Sequence, residues 1–135
     1  MSRYNDLLAA VQASGLATNL SPVQVGRIDQ LVETYPGLPQ DYIEFLREVG
    51  FGSVGDGGYM IYEDLVSPDE IFDPASTQNI GHLLMFGDDF QGCNAGFDPE
   101  QNWTVLEIDS ATMKIIPVAK SFEEYVRRKI SELIG

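Results

Sequence analysis

Apolar residues recur along this chain with two different periods, and the switch between them constrains the fold more than any single motif. Up to Gly50 the spacing is helical. Tyr4, Leu7, Leu8 and Val11 fall at i, i+3, i+4 and i+7, and Gly15 supplies a stop. Ser21-Pro22 reads as an N-cap followed by proline at the first helical position, opening a second helix whose stripe is Val23, Ile28, Leu31, Val32 and Tyr35. After Pro36-Gly37 a third helix opens at Leu38-Pro39. It turns Tyr42, Phe45, Leu46 and Val49 to one face and Asp41, Glu44 and Glu48 to the other, and Gly50 ends it.

Beyond Gly50 the rhythm shortens. Tyr59-Met60-Ile61-Tyr62, Leu83-Leu84-Met85-Phe86 and Trp103 to Ile108 are short apolar runs bounded by Gly, Asp or Pro, as strands are. Asp109 to Thr112 reads as a hairpin connection into Met113-Lys114-Ile115-Ile116, Ala95-Gly96-Phe97 as a further short strand, and Ser67-Pro68-Asp69-Glu70 as the start of a helical turn. The helical period returns at the end. Ser121 with Glu124 three residues later forms a capping box, and Phe122, Tyr125, Val126, Ile130, Leu133 and Ile134 mark a buried stripe. Helices, then an antiparallel sheet, then a helix packed against it make an α+β fold, expected as one domain over residues 1–135.

Charge is distributed as unevenly as period. The chain carries a net charge of −13, and no Lys or Arg occurs between Arg47 and Lys114. That interval holds 13 of the 21 carboxylates (Glu48, Asp56, Glu63, Asp64, Asp69, Glu70, Asp73, Asp88, Asp89, Asp98, Glu100, Glu107 and Asp109) and the single histidine, His82. The flanks hold all 8 basic residues against the other 8 acids. Plain surfaces usually mix the two signs, so the centre of the chain builds a one-signed field. Such a field repels nucleic acid and anionic membranes, which excludes both as direct partners. The 44% apolar content excludes a disordered acidic tail. A single cysteine, Cys93, excludes a disulfide framework and a multi-thiolate zinc site. No apolar run approaches the roughly 18 residues of a membrane span, and Met1 to Asp6 lack a signal peptide's apolar stretch, so the expectation is a soluble cytoplasmic protein.

Three catalytic patterns fail on chemistry. Gly50-Phe51-Gly52-Ser53-Val54-Gly55 spells G-x-G-x-x-G, but a dinucleotide loop follows a strand and opens a helix, whereas here a helix precedes and a strand follows. The segment reads instead as a flexible helix-to-strand connection needing positive φ. Cys93 and His82 could form a nucleophile and base, but a thiolate needs nearby positive charge and this region has none. Asp88-Asp89-Phe90-Gln91-Gly92 and Asp98-Pro99-Glu100 do not match the ligand spacing of an EF-hand calcium loop. Neither a metal nor a cofactor is expected.

The order of landmarks resembles the SUKH superfamily. Leu38-Pro39-Gln40-Asp41-Tyr42-Ile43-Glu44-Phe45-Leu46 with its glycine-rich exit is similar to that family's LP-x-x-Y-x-x-F-L helix. Leu84 to Gly92 followed by Gly96-Phe97-Asp98 resembles its central F-G-x-D strand pair, and Ser121-Phe122-Glu123-Glu124-Tyr125-Val126 its closing helix. The likeness spans residues 20–135, with Val49-Gly50-Phe51-Gly52 standing where the family usually has Asn-Gly-Gly. It implies one antiparallel sheet, no catalytic residues, and a role either as a regulator, as in fungal cell-wall synthesis, or as a bacterial immunity protein that neutralises a toxin.

The acid-rich centre fits the second role. A toxin that acts on nucleic acid presents a basic cleft, towards which an anionic partner is steered. Asp56, Glu63, Asp64, Asp88, Asp89, Asp98 and Glu100 are the expected acidic rim, with Tyr59, Tyr62 and Phe90 as exposed aromatic anchors. The alternatives are a scaffold module with a housekeeping protein partner and, less favoured, a small hydrolase built on paired carboxylates or Cys93.

Overall fold

The structure, a computed structural model, describes residues 2–135. It begins with α1 (Asn5–Ser14), a short strand β1 (Thr18–Ser21), α2 (Val25–Thr34) and α3 (Gln40–Glu48). Six strands follow: β2 (Phe51–Val54), β3 (Tyr59–Val66), β4 (Leu84–Asp88), β5 (Cys93–Asp98), β6 (Thr104–Asp109) and β7 (Ile115–Ala119). The helix α4 (Phe122–Ile134) closes the chain. All seven strands join one antiparallel sheet in sequence order, so the architecture is α+β with the helices on one face.

Between helices and sheet lies a core rich in aromatics. Tyr42 and Phe45 from α3, Phe122 and Tyr125 from α4, and Phe86 and Phe97 from the sheet are all at most 1% exposed. The Phe122 ring stands 5.0 Å from both Tyr42 and Phe86, edge-on at 70° and 77°. Such pairs contribute about 0.5–1.5 kcal/mol beyond the burial of their surface, and they fix α3 and α4 against the middle strands. The opposite face buries a smaller layer, Leu83, Met85, Leu106 and Ile108, under Ile71, Phe72 and Ile80 of the β3–β4 connection.

Two expectations at the front of the sheet are corrected. Ser21 does not cap a helix: it pairs with Phe51 as the last residue of β1, and α2 starts at Val25 after Gln24, with no side-chain cap. The segment Phe51–Val54 is a strand rather than a flexible connection. Its glycines are there for contact as much as for conformation. At positive φ, Gly50 and Gly52 bring β2 so close to β1 that an added Cβ would run into the carbonyl oxygens of Ser21 and Asn19. No helix follows this glycine run, so no helix N-terminus is offered to a phosphate.

Because the sheet is a meander, its connections alternate between two ends. The turns 55–58, 89–92 and 110–114 gather at one end, here called the hairpin end. The long connection 67–83, the 99–103 turn and the end of β1 lie at the other, the crossover end.

Candidate partner-binding surface

The carboxylates of the basic-free interval fall on both ends of the sheet. Asp56, Asp88 and Asp89 stand at the hairpin end, whereas Asp98 and Glu100 stand at the crossover end, with Glu63 and Asp64 in the irregular stretch of β3 that leads towards it. The ends are about one strand apart, roughly 20 Å for a six-residue strand. The expected rim is therefore two separate acidic patches.

Many of these acids also build the backbone that carries them. Asp88 accepts the Phe90 N–H at 2.9 Å, and Asp89 accepts those of Gln91 and Cys93 at 2.8 and 3.0 Å. Asp98 accepts the Glu100 N–H at 3.0 Å and Asp109 that of Ala111 at 2.8 Å. Short acidic side chains close turns in this way because their oxygen reaches a backbone donor two residues on. One oxygen satisfies the turn, and the negative charge remains.

That charge is left almost without counter-ions. Among the described residues, only Asp64, bound by Arg27, and Glu107, 3.2 Å from Lys129, pair with a Lys or Arg side chain out of the thirteen. His82 lies 3.5 Å from Asp98 and 4.0 Å from Glu100. Other cations serve the helices: Arg3 pairs with Glu44 and Glu123, and Arg127 with Asp6 and Glu123.

The three aromatic candidates separate clearly. Tyr59 is not an exposed anchor. It is 4% exposed, packed against Tyr125, and its hydroxyl lies 2.9 Å from that of Tyr125. Alternation along β3 turns it into the helix-side core together with Ile61. Tyr62 is half-buried on the opposite face, donating to Asp88 at 2.7 Å and accepting from the Asn94 amide at 3.1 Å. Phe90 is exposed at the tip of the β4–β5 turn.

Local sequence gave no sign of what meets the turns at the hairpin end. The last turn of α4 reaches them, with Leu133 against Gly58, and forms a recess of about 180 Å3 lined by Gly58, Tyr59, Asp89, Gln91, Lys129, Glu132 and Leu133. Behind it runs a polar chain in which Tyr125 donates to Glu107 at 2.8 Å while Lys129 approaches the same carboxylate oxygen. Cys93 sits beside this chain. Burial pushes its thiol up to about 11, helped by the carboxylates of Glu107 and Asp89. His82 precedes β4 at the crossover end while Cys93 opens β5 at the hairpin end, so the two are not a nucleophile and its base. Among the described residues no cluster of three or more His, Cys, Asp or Glu is placed to hold a metal ion, and no helix is long and apolar enough to cross a membrane.

The family model described as SMI1 / KNR4 family (SUKH-1) matches residues 30–128. That range runs from α2 to the middle of α4 and takes in both acidic ends of the sheet. No curated protein matches the chain.

Proposed function

This chain belongs to the SMI1/KNR4 (SUKH-1) family, and on that premise we propose that it is a non-enzymatic binding module: an immunity protein that captures and neutralises a basic toxin acting on nucleic acid. One observation carries the reading. Eleven of the thirteen acids in the basic-free interval lack a Lys or Arg side-chain partner among the described residues, and all of them except Glu48, which holds the N-terminal segment, lie on the strands of the sheet and their connections, so that surface is predominantly anionic. An enzyme that handles nucleic acid needs a cationic cleft to hold phosphates. An anionic surface competes for that cleft, and long-range attraction raises the encounter rate by about 10–10³ at low salt. The raised thiol pKa of Cys93 and its separation from His82 argue against nucleophilic catalysis at that cysteine.

The test pairs this chain with the C-terminal domain of the polypeptide encoded beside its gene. Co-expression should restore growth of cells killed by that domain, and the purified pair should bind with an affinity that falls as salt rises. A growth defect on deleting this chain in the absence of any toxin, with no protection by co-expression, assigns it a regulatory role with a housekeeping partner instead.

A further inference from the structure

Phe90 is the one aromatic side chain among the described residues that the fold leaves exposed, at 49% of its surface. Its backbone has φ 65, a region that costs a bulky residue steric strain and that Gly or Asn enters more easily. The turn beneath is fixed: Asp88 and Asp89 hold its amides, and the Gly92 carbonyl accepts the Ser110 N–H at 2.8 Å from the neighbouring turn. Strain kept at a rigid, solvent-facing position is a pointer to function.

Beside Phe90 on the same turn lies the recess bounded by Asp89, Gln91, Glu132 and Leu133. Its one cation, Lys129, is already engaged, 3.2 Å from Glu107 and 3.8 Å from Glu132. Asp89 and Glu132 therefore leave the recess anionic. The carbonyl end of α4 adds the negative pole of the helix at the same place. An apolar anchor standing next to an anionic hollow is complementary to one kind of surface, a cationic protein with an apolar pocket of its own.

We propose that the hairpin end, rather than the crossover end, is the docking face. The partner receives Phe90 in an apolar pocket and places an arginine side chain in the recess between Asp89 and Glu132. Arginine and aromatic residues dominate binding energy at such centres, and a planar guanidinium matches paired carboxylates. The proposal rests on the binding-module reading above and narrows it to one surface.

Two measurements test it. The first uses the neighbouring-gene toxin domain as ligand and compares Phe90→Asn, Phe90→Trp, and the crossover-end pair Glu63→Gln/Glu100→Gln. Phe90→Asn should weaken binding at least about 30-fold, chiefly through faster dissociation, while leaving the melting temperature unchanged or higher because strain is relieved. Phe90→Trp should stay within about threefold of the parent, as should the crossover-end pair. Unchanged affinity for Phe90→Asn, or a larger loss at Glu63 and Glu100, overturns the proposal while the binding-module reading stands. Absence of binding by the parent chain removes the toxin reading itself. The second measurement needs no toxin. Titration with N-acetyl-arginine amide, followed by amide chemical shifts, should move Gly58, Gln91 and Leu133, and Glu132→Gln should reduce those shifts. Equal shifts at Glu63 and Glu100, or none at the recess, overturn the arginine site.

Discussion

The hydroxyl of Tyr42 is buried without a hydrogen-bond partner in the described structure, although its ring is held edge-on by Phe97 and Phe122. A buried polar group left unpaired costs about 1–3 kcal/mol, and burial also pushes its phenol well above the ordinary tyrosine range. Tyr42→Phe keeps the ring and removes the orphan group, so the denaturation midpoint should rise by an amount worth about 1 kcal/mol, with the denaturant slope unchanged. A loss of stability of that size would mean that a bound water satisfies the hydroxyl. Sequence spacing located Tyr42 in the core but could say nothing of its hydroxyl, because a side-chain partner depends on tertiary neighbours. Tyr59 failed as a surface candidate for the same reason: a short strand run does not reveal which alternate face the helices cover, and the fold covers the Tyr59 side. The acids were legible as charge, while their work in closing turns became visible only with the backbone in place.

Among elements, the N-terminal segment is tied to α3 and α4 by a clasp of charges. Glu48 accepts the Tyr4 N–H at 2.9 Å and the Arg3 N–H at 3.3 Å. Arg3 bridges Glu44 at 2.5 Å and Glu123 at 2.8 Å, and Arg127 reaches Glu123, Asp6 and the Arg3 carbonyl. The guanidinium of Arg3, seconded by that of Arg127, outweighs burial and holds the Glu123 carboxyl below its ordinary range. Burial pushes the Glu48 carboxyl up, but hydrogen bonds from Ser2 and the backbone outweigh it, and Arg127 lowers Asp6. Carboxyls depressed in the folded state stabilise it fully above the unfolded carboxylate range, roughly pH 4–5, and lose that contribution as pH falls through and below it. Stability should therefore drop on acidification, and Arg127→Gln should flatten the drop, as thermal melts between neutral and acid pH would read. An unchanged slope in the variant would show that the clasp does not couple to folding. The helices α1, α3 and α4 were readable because an apolar stripe repeats over several turns. The strands β1 and β2, four residues each, were not, because polar and glycine-rich segments pair there through backbone contact.

On the scale of the whole molecule, the protein separates its charges. Arg3 and Arg127 pin helices to one another, while acidic turns, with Lys114 and Lys120 at either end of β7 as the nearby cations, occupy both ends of a sheet whose strands follow one another in sequence order. The gap in basic residues was visible in one dimension, but its division between two ends follows from the up-and-down path of the meander and needed the topology. Helix α4, whose sequence signals were the clearest, delivers Lys129, Glu132 and Leu133 to turns more than thirty residues away, a juxtaposition that no local pattern encodes. On the reading proposed above, the molecule acts as an anionic capture surface. Stopped-flow association with the protein domain proposed above as its toxin, run from about 0.02 to 0.5 M salt, separates capture by charge from association that charge does not drive. The association rate constant should fall by about 10–10³ across that range while the dissociation rate changes little. An association rate constant that stays flat across the same range would contradict the claim.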